Sequence, residues 1–415
     1  MNKTISKSLI HGVLNAPTSK SALQRLIVAA FLSDGKSLIE FESMCEDARA
    51  VLGIAESLVK SVKIIDKKIE IIGGIQNINE TVNVGESGLG LRMIAPVLSA
   101  ITGTFEIAGK GSLLNRPVGF VVDTLQSCGV KASDTNGSLP LIIEGPITSN
   151  NVYIDGSIGS QLLTGFLVAA PLLKKDFEII VNNLKSRSYI DLTISILHKF
   201  GIEVSNDNYE RFSIKGGQSY KACNSYAEGD WSGAAFVLVA AAIAGELKLT
   251  GIDYYSLQGD KQIVDVLKQS GADVKIGNNE VIVKKDKLMA FQFDATDVPD
   301  LFPPLVALAV NCKGKSKIKG VSRLKHKESD RASTLQEEFS KLGARIILEG
   351  DNMIVEGTEL HGANVFSNHD HRIAMALAVA GLTINSKTII SGSESVGKSW
   401  PDFFEKMHTI GANIE

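Results

Sequence analysis

The sequence predicts an α+β protein of two similar domains, each built from three copies of one helix-and-strand unit. Two observations carry this expectation. A chain of 415 residues is too long for one ordinary hydrophobic core. An amphipathic helix, a small residue that stops it and two short strands around a polar turn also recur six times at nearly constant spacing.

The copies follow in chain order. A faint first copy is "VLGIAESLVKSVKIIDKKIEIIGG", with Ser61 at the stop. In "RPVGFVVDTLQSCGVKASDTNGSLPLIIEG", Val118, Val121, Val122 and Leu125 share one helical face and Gly129 ends the helix. "YIDLTISILHKFGIEVSNDNYERFSIKGG" repeats the pattern with Ile190, Ile194 and Leu197 in phase and Gly201 as the stop. Next come "KQIVDVLKQSGADVKIGNNEVIVKKD", stopped by Gly271, and "STLQEEFSKLGARIILEGDNMIVEG", stopped by Gly343. The last, "PDFFEKMHTIGANIE", reaches Gly411. These six positions lie 68, 72, 70, 72 and 68 residues apart. Helix–Gly–strand is common grammar in any α/β protein, but five nearly equal intervals are not.

The sixth copy lacks its second strand, whereas "TISKSLIHGVLN" at the other end is strand-like and has no unit of its own. The N-terminus is therefore expected to pair beside the C-terminus and complete the last copy. That divides the chain into a continuous domain, 19–226, and a discontinuous one, 1–18 plus 227–415. A ligand site between two such halves, with hinge closure over it, is the physical expectation.

Composition narrows the function. The chain is 44% hydrophobic and 21% charged with a net charge of −3, so neither a nucleic-acid-binding basic excess nor an acidic tail is present. An anionic substrate would have to be held by locally clustered Lys and Arg. Cys45, Cys128, Cys223 and Cys312 are far apart with no CxxC pair, which argues against a zinc site or disulfide framework and fits a reducing compartment. The opening "MNKTISKSLIHGVLNAP" lacks the apolar core of a signal peptide. The longest apolar run, "AAFVLVAAAIAG" (234–245), is too short to span a bilayer and reads as a buried helix. A cytoplasmic protein is expected.

Four stretches share one arrangement, a polar loop leading directly into an apolar helix. They are "APTSKSALQRLIVAA" with Lys20 and Arg25, "VGESGLGLRMIAP" with Arg92, "GSIGSQLLTGFLVAAPLL" with Ser160 and Gln161, and "SNHDHRIAMALAVAGL" with Asp370, His371 and Arg372. Each alone reads equally as an ordinary helix cap. The glycines fit neither the dinucleotide nor the Walker pattern, and His369-x-His371 without HExxH is a weak metal signal. Helix N-termini that converged on one place would surround an anion with dipoles and fixed cations. A fifth stretch, "LKHKESDR" (324–331), packs six ionisable side chains into eight positions. Such runs usually face water. Here a helix is expected to start near Ser329, with Lys327 and Glu328 at its mouth, Arg331 in its first turn and Asp330 bracing a cation or the helix N-terminus.

Ten motifs in order, "SKSALQR", "GESGLGLR", "LLNRPVG", "GSQLLTGFLVAAPL", "SRSYIDLT", "EGDWSGAAF", "DVPDLFPPL", "KHKESDR", "NHDHRIAMA" and "GKSWPDFF", give the chain a specific resemblance. Along essentially its full length it resembles the 5-enolpyruvylshikimate-3-phosphate synthases of the enolpyruvyl transferase family. The resemblance implies an inverse α/β barrel-like fold of two domains, each of three units, with the active site in the interdomain cleft. It also implies transfer of the enolpyruvyl group of phosphoenolpyruvate to the 5-hydroxyl of shikimate 3-phosphate, with release of phosphate. Two small anionic substrates, no metal or organic cofactor and a monomer are further implications.

Carried over motif by motif, Lys20 resembles a catalytic lysine that contacts both substrates. Ser21, Arg25, Ser160, Gln161, Ser186, Tyr189, Asp300 and Lys327 match positions that hold shikimate 3-phosphate. Gly88, Arg116, Gln161, Arg331, His371, Arg372 and Lys398 match those around phosphoenolpyruvate. Asp300 matches the proton acceptor for the 5-hydroxyl and Glu328 the second acid/base group.

Three departures stand out. Gly85-Glu86-Ser87-Gly88-Leu89 replaces the usual Gly-Asn-Ala-Gly-Thr, which sets a carboxylate beside an anion unless Arg92 or another cation neutralises it. Gly159 stands where a serine is familiar, and Arg323 where an asparagine is. The sister enzyme acting on UDP-N-acetylglucosamine carries a loop cysteine before its Arg-Pro; "GKGSLLNRPVG" has none, which disfavours that alternative.

Overall fold

The computed structural model describes residues 1–78 and 80–415. They form two compact units, Lys20–Ala227 and Met1–Ser19 with Glu228–Glu415. Each unit contains three four-stranded sheets, and all six sheets follow one scheme. In one example Thr81–Asn83 pairs parallel with Gly103–Ala108, which pairs antiparallel with Ser138–Gly145, which pairs antiparallel with Lys131–Thr135. Alternate residues Phe105, Ile107, Leu141 and Ile143 are buried, as expected for sheets with one face on a core.

Parallel neighbours need a crossover, and in four of the six sheets a single helix supplies it. In the Lys20–Ala227 unit the helices are α1 (Lys20–Leu32), α2 (Glu46–Leu58), α3 (Gly88–Ser99), α4 (Gly119–Ser127), α5 (Gln161–Ala169) and α6 (Ser188–Lys199). In the other unit they are α7 (Trp231–Ala244), α8 (Ile263–Gln269), α9 (Phe302–Ala309), α10 (Arg331–Lys341), α11 (His371–Gly381) and α12 (Phe403–Thr409). Odd-numbered helices are apolar nearly all round and form the interior: every residue of α3, α7, α9 and α11 is buried. Even-numbered helices are amphipathic and cover it, as α4 does with Val121, Val122 and Leu125 inward. Among the described residues no helix is long and apolar enough to cross a membrane.

Gly129, Gly201, Gly271, Gly343 and Gly411 follow α4, α6, α8, α10 and α12 with φ between 77° and 98°, the left-handed stop that glycine takes without strain. Ser61 is a correction. α2 ends at Leu58, and Ser61 lies inside the strand Val59–Ile65, because Val59 already adopts extended geometry (φ −116°, ψ 171°). A second correction concerns "TISKSLIHGVLN", which forms two strands serving two sheets. Asn2–Ser6 lies between Thr388–Ser391 and Asn413–Ile414, whereas Val13–Asn15 pairs parallel with Glu246–Thr250.

Candidate active site

In the Lys20–Ala227 unit, side-chain hydrogen bonds tie the N-terminal ends of the interior helices together. Ser87 caps α3 by accepting from the Gly90 N–H at 2.9 Å, and its hydroxyl donates to Gln24 Oε1 of α1 at 2.8 Å. Arg92 on α3 donates to Gln161 Oε1 on α5 at 2.7 Å, and its guanidinium sits 5.3 Å from the Phe120 ring centroid. Lys20, the first residue of α1, reaches Asp47 Oδ2 of α2 at 3.1 Å.

Arg25 is buried; its guanidinium bonds neutral oxygens and lies 6.0 Å from the Tyr189 ring centroid. Nε donates to Thr193 Oγ1 at 2.9 Å, Nη1 to the Ser21 carbonyl at 2.8 Å, and Nη2 to Thr164 Oγ1 at 3.2 Å and the Tyr189 carbonyl at 3.4 Å. The Thr193 hydroxyl donates to the Tyr189 carbonyl at 2.7 Å, so the 3.1 Å Thr164–Thr193 contact has Thr164 as donor. Burial draws the Arg25 pKa down to about 10, and the group remains a cation at neutral pH. Neutral oxygens solvate such a buried cation without cancelling its charge.

Around Gly88 two more cations converge. A Cβ at Gly88 would lie 2.6 Å from an Arg116 terminal nitrogen and 3.0 Å from one of Arg92, so only glycine lets both approach. Ser160 is buried at the start of α5, and Ser186 precedes α6 with φ 59°, a strained value for a non-glycine residue. The Gly159 departure has a backbone cause, since φ is 142° there and a serine would be strained.

The unit containing Glu228–Glu415 is organised differently. Asp300, in the short turn Pro299–Leu301 before α9, accepts from Arg331 Nη1 at 2.7 Å and Arg372 Nη2 at 3.0 Å, with Lys327 Nζ 3.4 Å away. Burial by itself would raise the Asp300 pKa, but Arg372, Lys327 and Arg331 together hold it well below the usual carboxylate range. Arg331, only 1% exposed, also bonds Glu328 Oε2 at 2.5 Å and Asp370 Oδ2 at 2.7 Å. Burial opposes its charge, yet Asp370, Glu328 and Asp300 together raise its pKa above the ordinary value. Burial lowers the Lys327 pKa against the pull of Asp300.

Asp370 caps α11 by accepting from the Arg372 N–H at 2.9 Å, and His371 Nδ1 lies 3.8 Å from Asp370 Oδ1. Lys398 is buried in the turn Ser393–Lys398, which packs on α11. Behind this group Asp260 bonds the Ser232 hydroxyl at the start of α7. Burial, and secondarily the nearby Asp300 charge, push its pKa up to about 6.

The expected residues thus fall into two sets: Lys20, Ser21, Arg25, Gly88, Arg116, Ser160, Gln161, Ser186 and Tyr189 in one unit, and Asp300, Lys327, Glu328, Arg331, His371, Arg372 and Lys398 in the other. Within the second set Asp300, Lys327, Glu328, Arg331 and Arg372 form one ion-pair network. Asp330 caps α10 by accepting from the Ser333 N–H, so that helix starts at Arg331, two residues beyond Ser329, with Arg331 in its first turn. The Glu86 carboxylate accepts from the Ser112 N–H at 2.9 Å and the Ser112 O–H at 2.8 Å. Arg323 donates to the Thr296 carbonyl at 3.2 Å. Sequence reasoning missed Asp47, Thr164, Thr193 and Asp260, whose partners lie 27, 139, 168 and 28 residues away. Only Asp47 carried a signal, as an acid in a helix first turn. Among the described residues no group of three or more His, Cys, Asp or Glu could hold a metal ion.

Comparison with known proteins adds a name to this geometry. A sequence-family model for EPSP synthase (3-phosphoshikimate 1-carboxyvinyltransferase) matches residues 5–407. A 3-phosphoshikimate 1-carboxyvinyltransferase from Clostridium novyi (strain NT) is 36% identical over 427 residues, covering 100% of this chain and 98% of its own. Another from Methanocorpusculum labreanum is 36% identical over 420 residues, covering 100% and 99%. The solved EPSP synthase of Acinetobacter baumannii superposes with a TM-score of 0.84 at 25% identity, covering 100% of this chain and 99% of that one. The enolpyruvyl transferase NikO of Streptomyces tendae, 16% identical with a TM-score of 0.80, shares the fold.

Proposed function

The chain belongs to the EPSP synthase family, and from that premise we propose how its residues divide the family's reaction. The enzyme is a 3-phosphoshikimate 1-carboxyvinyltransferase: the 5-hydroxyl of shikimate 3-phosphate adds to C2 of phosphoenolpyruvate while C3 gains a proton. The tetrahedral adduct then loses phosphate from C2 and the added proton from C3. Two groups must therefore alternate between acid and base.

Asp300 takes the hydroxyl proton and Glu328 exchanges the proton at C3. The observation that carries this assignment is the position of Asp300 among Arg331, Arg372 and Lys327, which keep it ionised before substrate arrives. Arg372 and Lys327 are also drawn to substrate anions, and as they turn to phosphate and carboxylate groups Asp300 loses stabilisation and becomes more basic. Arg25, Ser21, Ser160, Ser186 and Tyr189 hold shikimate 3-phosphate. Gly88, Arg116, His371, Arg372 and Lys398 hold phosphoenolpyruvate. Lys20 and Gln161 contact both, and Arg331 orients the two carboxylates.

The substrates are small molecules, and on this reading the enzyme works as a monomer in the cytoplasm. None of its four cysteines is in a disulfide, which agrees with a reducing compartment. Phosphate release with each substrate alone and with both together tests the assignment. Release only with both is expected; release without shikimate 3-phosphate, or with UDP-N-acetylglucosamine in its place, would sink it.

A further inference from the structure

Glu86 is the carboxylate that departs from the family's usual glycine-rich loop, and it bonds a neighbouring turn. One oxygen, Oε2, accepts from both the N–H and the hydroxyl of Ser112. Ser112 belongs to the short turn Gly111–Asn115 that leads directly into Arg116. A second bond joins the same segments, from the Lys110 N–H to the Gly85 carbonyl at 2.8 Å. At Gly111 φ is 57°, and a Cβ there would lie 2.3 Å from the Glu86 carboxylate, so the turn closes onto Glu86 with no room for a side chain. Two residues beyond Glu86 stands Gly88, against which the Arg116 guanidinium packs.

We propose that Glu86 is a positioning residue for phosphoenolpyruvate: its carboxylate clasps the 110–112 turn and thereby sets Arg116 over Gly88. The inference rests on the reading that Gly88 and Arg116 hold the anionic donor. A carboxylate next to an anion site would repel that anion if it faced it, and engagement with Ser112 turns its charge to a structural use. Glu86 and Gly111 then act as a matched pair, since a side chain at 111 would displace the carboxylate.

Steady-state kinetics on the full-length enzyme, with both substrates varied, test this. Glu86→Ala should raise the KM for phosphoenolpyruvate ~10-fold, the scale of one lost charge-assisted hydrogen bond, while kcat and the KM for shikimate 3-phosphate stay within about 2-fold. Glu86→Gln retains an oxygen that can accept from Ser112 and should recover most of that loss. Ser112→Ala, which keeps the backbone N–H bond, should raise the same KM about 3-fold. Arg116→Ala separates the two layers. If it raises the KM for phosphoenolpyruvate and Glu86→Ala does not, the clasp is wrong and the donor site stands. If Arg116→Ala leaves that KM unchanged, the donor-site reading fails and the clasp with it. Equal losses in both KM values and in kcat for Glu86→Ala, without rescue by Glu86→Gln, would reduce Glu86 to general structural support and overturn the proposal.

Discussion

Arg25 and Arg331 are both buried guanidinium groups, yet Arg25 is bonded to two threonine hydroxyls and two carbonyls while Arg331 is bonded to three carboxylates. At Arg25, buried positive charge is solvated by neutral oxygens and, on the proposed reading, keeps its attraction for an incoming anion. At Arg331 it is neutralised internally by Asp300, Glu328 and Asp370. Burial without a counter-ion costs stability, and enzymes accept that cost where the counter-ion is the substrate. Burial among carboxylates makes each partner depend on the others.

The same substitution in the two places should therefore behave differently. Arg331→Met strands Asp300, Glu328 and Asp370 without their shared cation and should destabilise the protein by about 3–5 kcal/mol in denaturant unfolding. Arg25→Met leaves only neutral oxygens behind and should cost about 1 kcal/mol or less. Comparable losses would erase the contrast. Next in size, Asp300→Ala and Glu328→Gln should each slow turnover ~10²-fold or more. A near-normal rate in either variant removes that residue from proton transfer.

The threonine pair offers a finer test. Thr193→Val takes away the acceptor of Arg25 Nε and of the Thr164 hydroxyl, and should cost about 2 kcal/mol together with weaker shikimate 3-phosphate binding. Thr193→Ser should restore both, and no recovery would argue that packing alone is responsible.

The smallest effect concerns pH. Asp260 has its folded pKa raised to about 6 from 3.8, so the folded state holds its proton more tightly than the unfolded chain does. Its contribution to stability is full below pH 3.8 and is lost as pH rises through about 6. Asp260→Asn should flatten that part of the stability–pH curve, and an unchanged slope in urea unfolding would dismiss the group. Asp300 runs the other way, because its lowered pKa stabilises the fold above the ordinary carboxylate range and ceases to do so in acid.

Features governed by local backbone chemistry were legible in the sequence. The glycines at 129, 201, 271, 343 and 411 each take the left-handed conformation that ends a helix, and the wholly apolar run in α7 is wholly buried. Ser61 misled because the apolar pattern of α2 continues into Val59 and Val62 of the following strand, where period 2 replaces period 3.6. "TISKSLIHGVLN" read as one strand because both of its halves alternate, and only pairing partners nearly 400 and 240 residues away in sequence divide it. The charged residues proposed for the site were found through motif resemblance, and those around Asp300 and Arg331 set one another's electrostatics, whereas the neutral partners of Arg25 and the buried Asp260 were missed. Thr164 and Thr193 look like ordinary helix-interior threonines, and Asp260 like a solvated turn acid, until the fold brings Arg25 and Ser232 to them.

Calorimetric titration of shikimate 3-phosphate into the wild-type protein and into Arg25→Met tests the central claim most directly. If Arg25 is kept charged among neutral oxygens for the substrate's phosphate, Arg25→Met should melt near the wild-type temperature yet bind at least ~10-fold more weakly. Undiminished binding by a folded Arg25→Met protein would contradict the account.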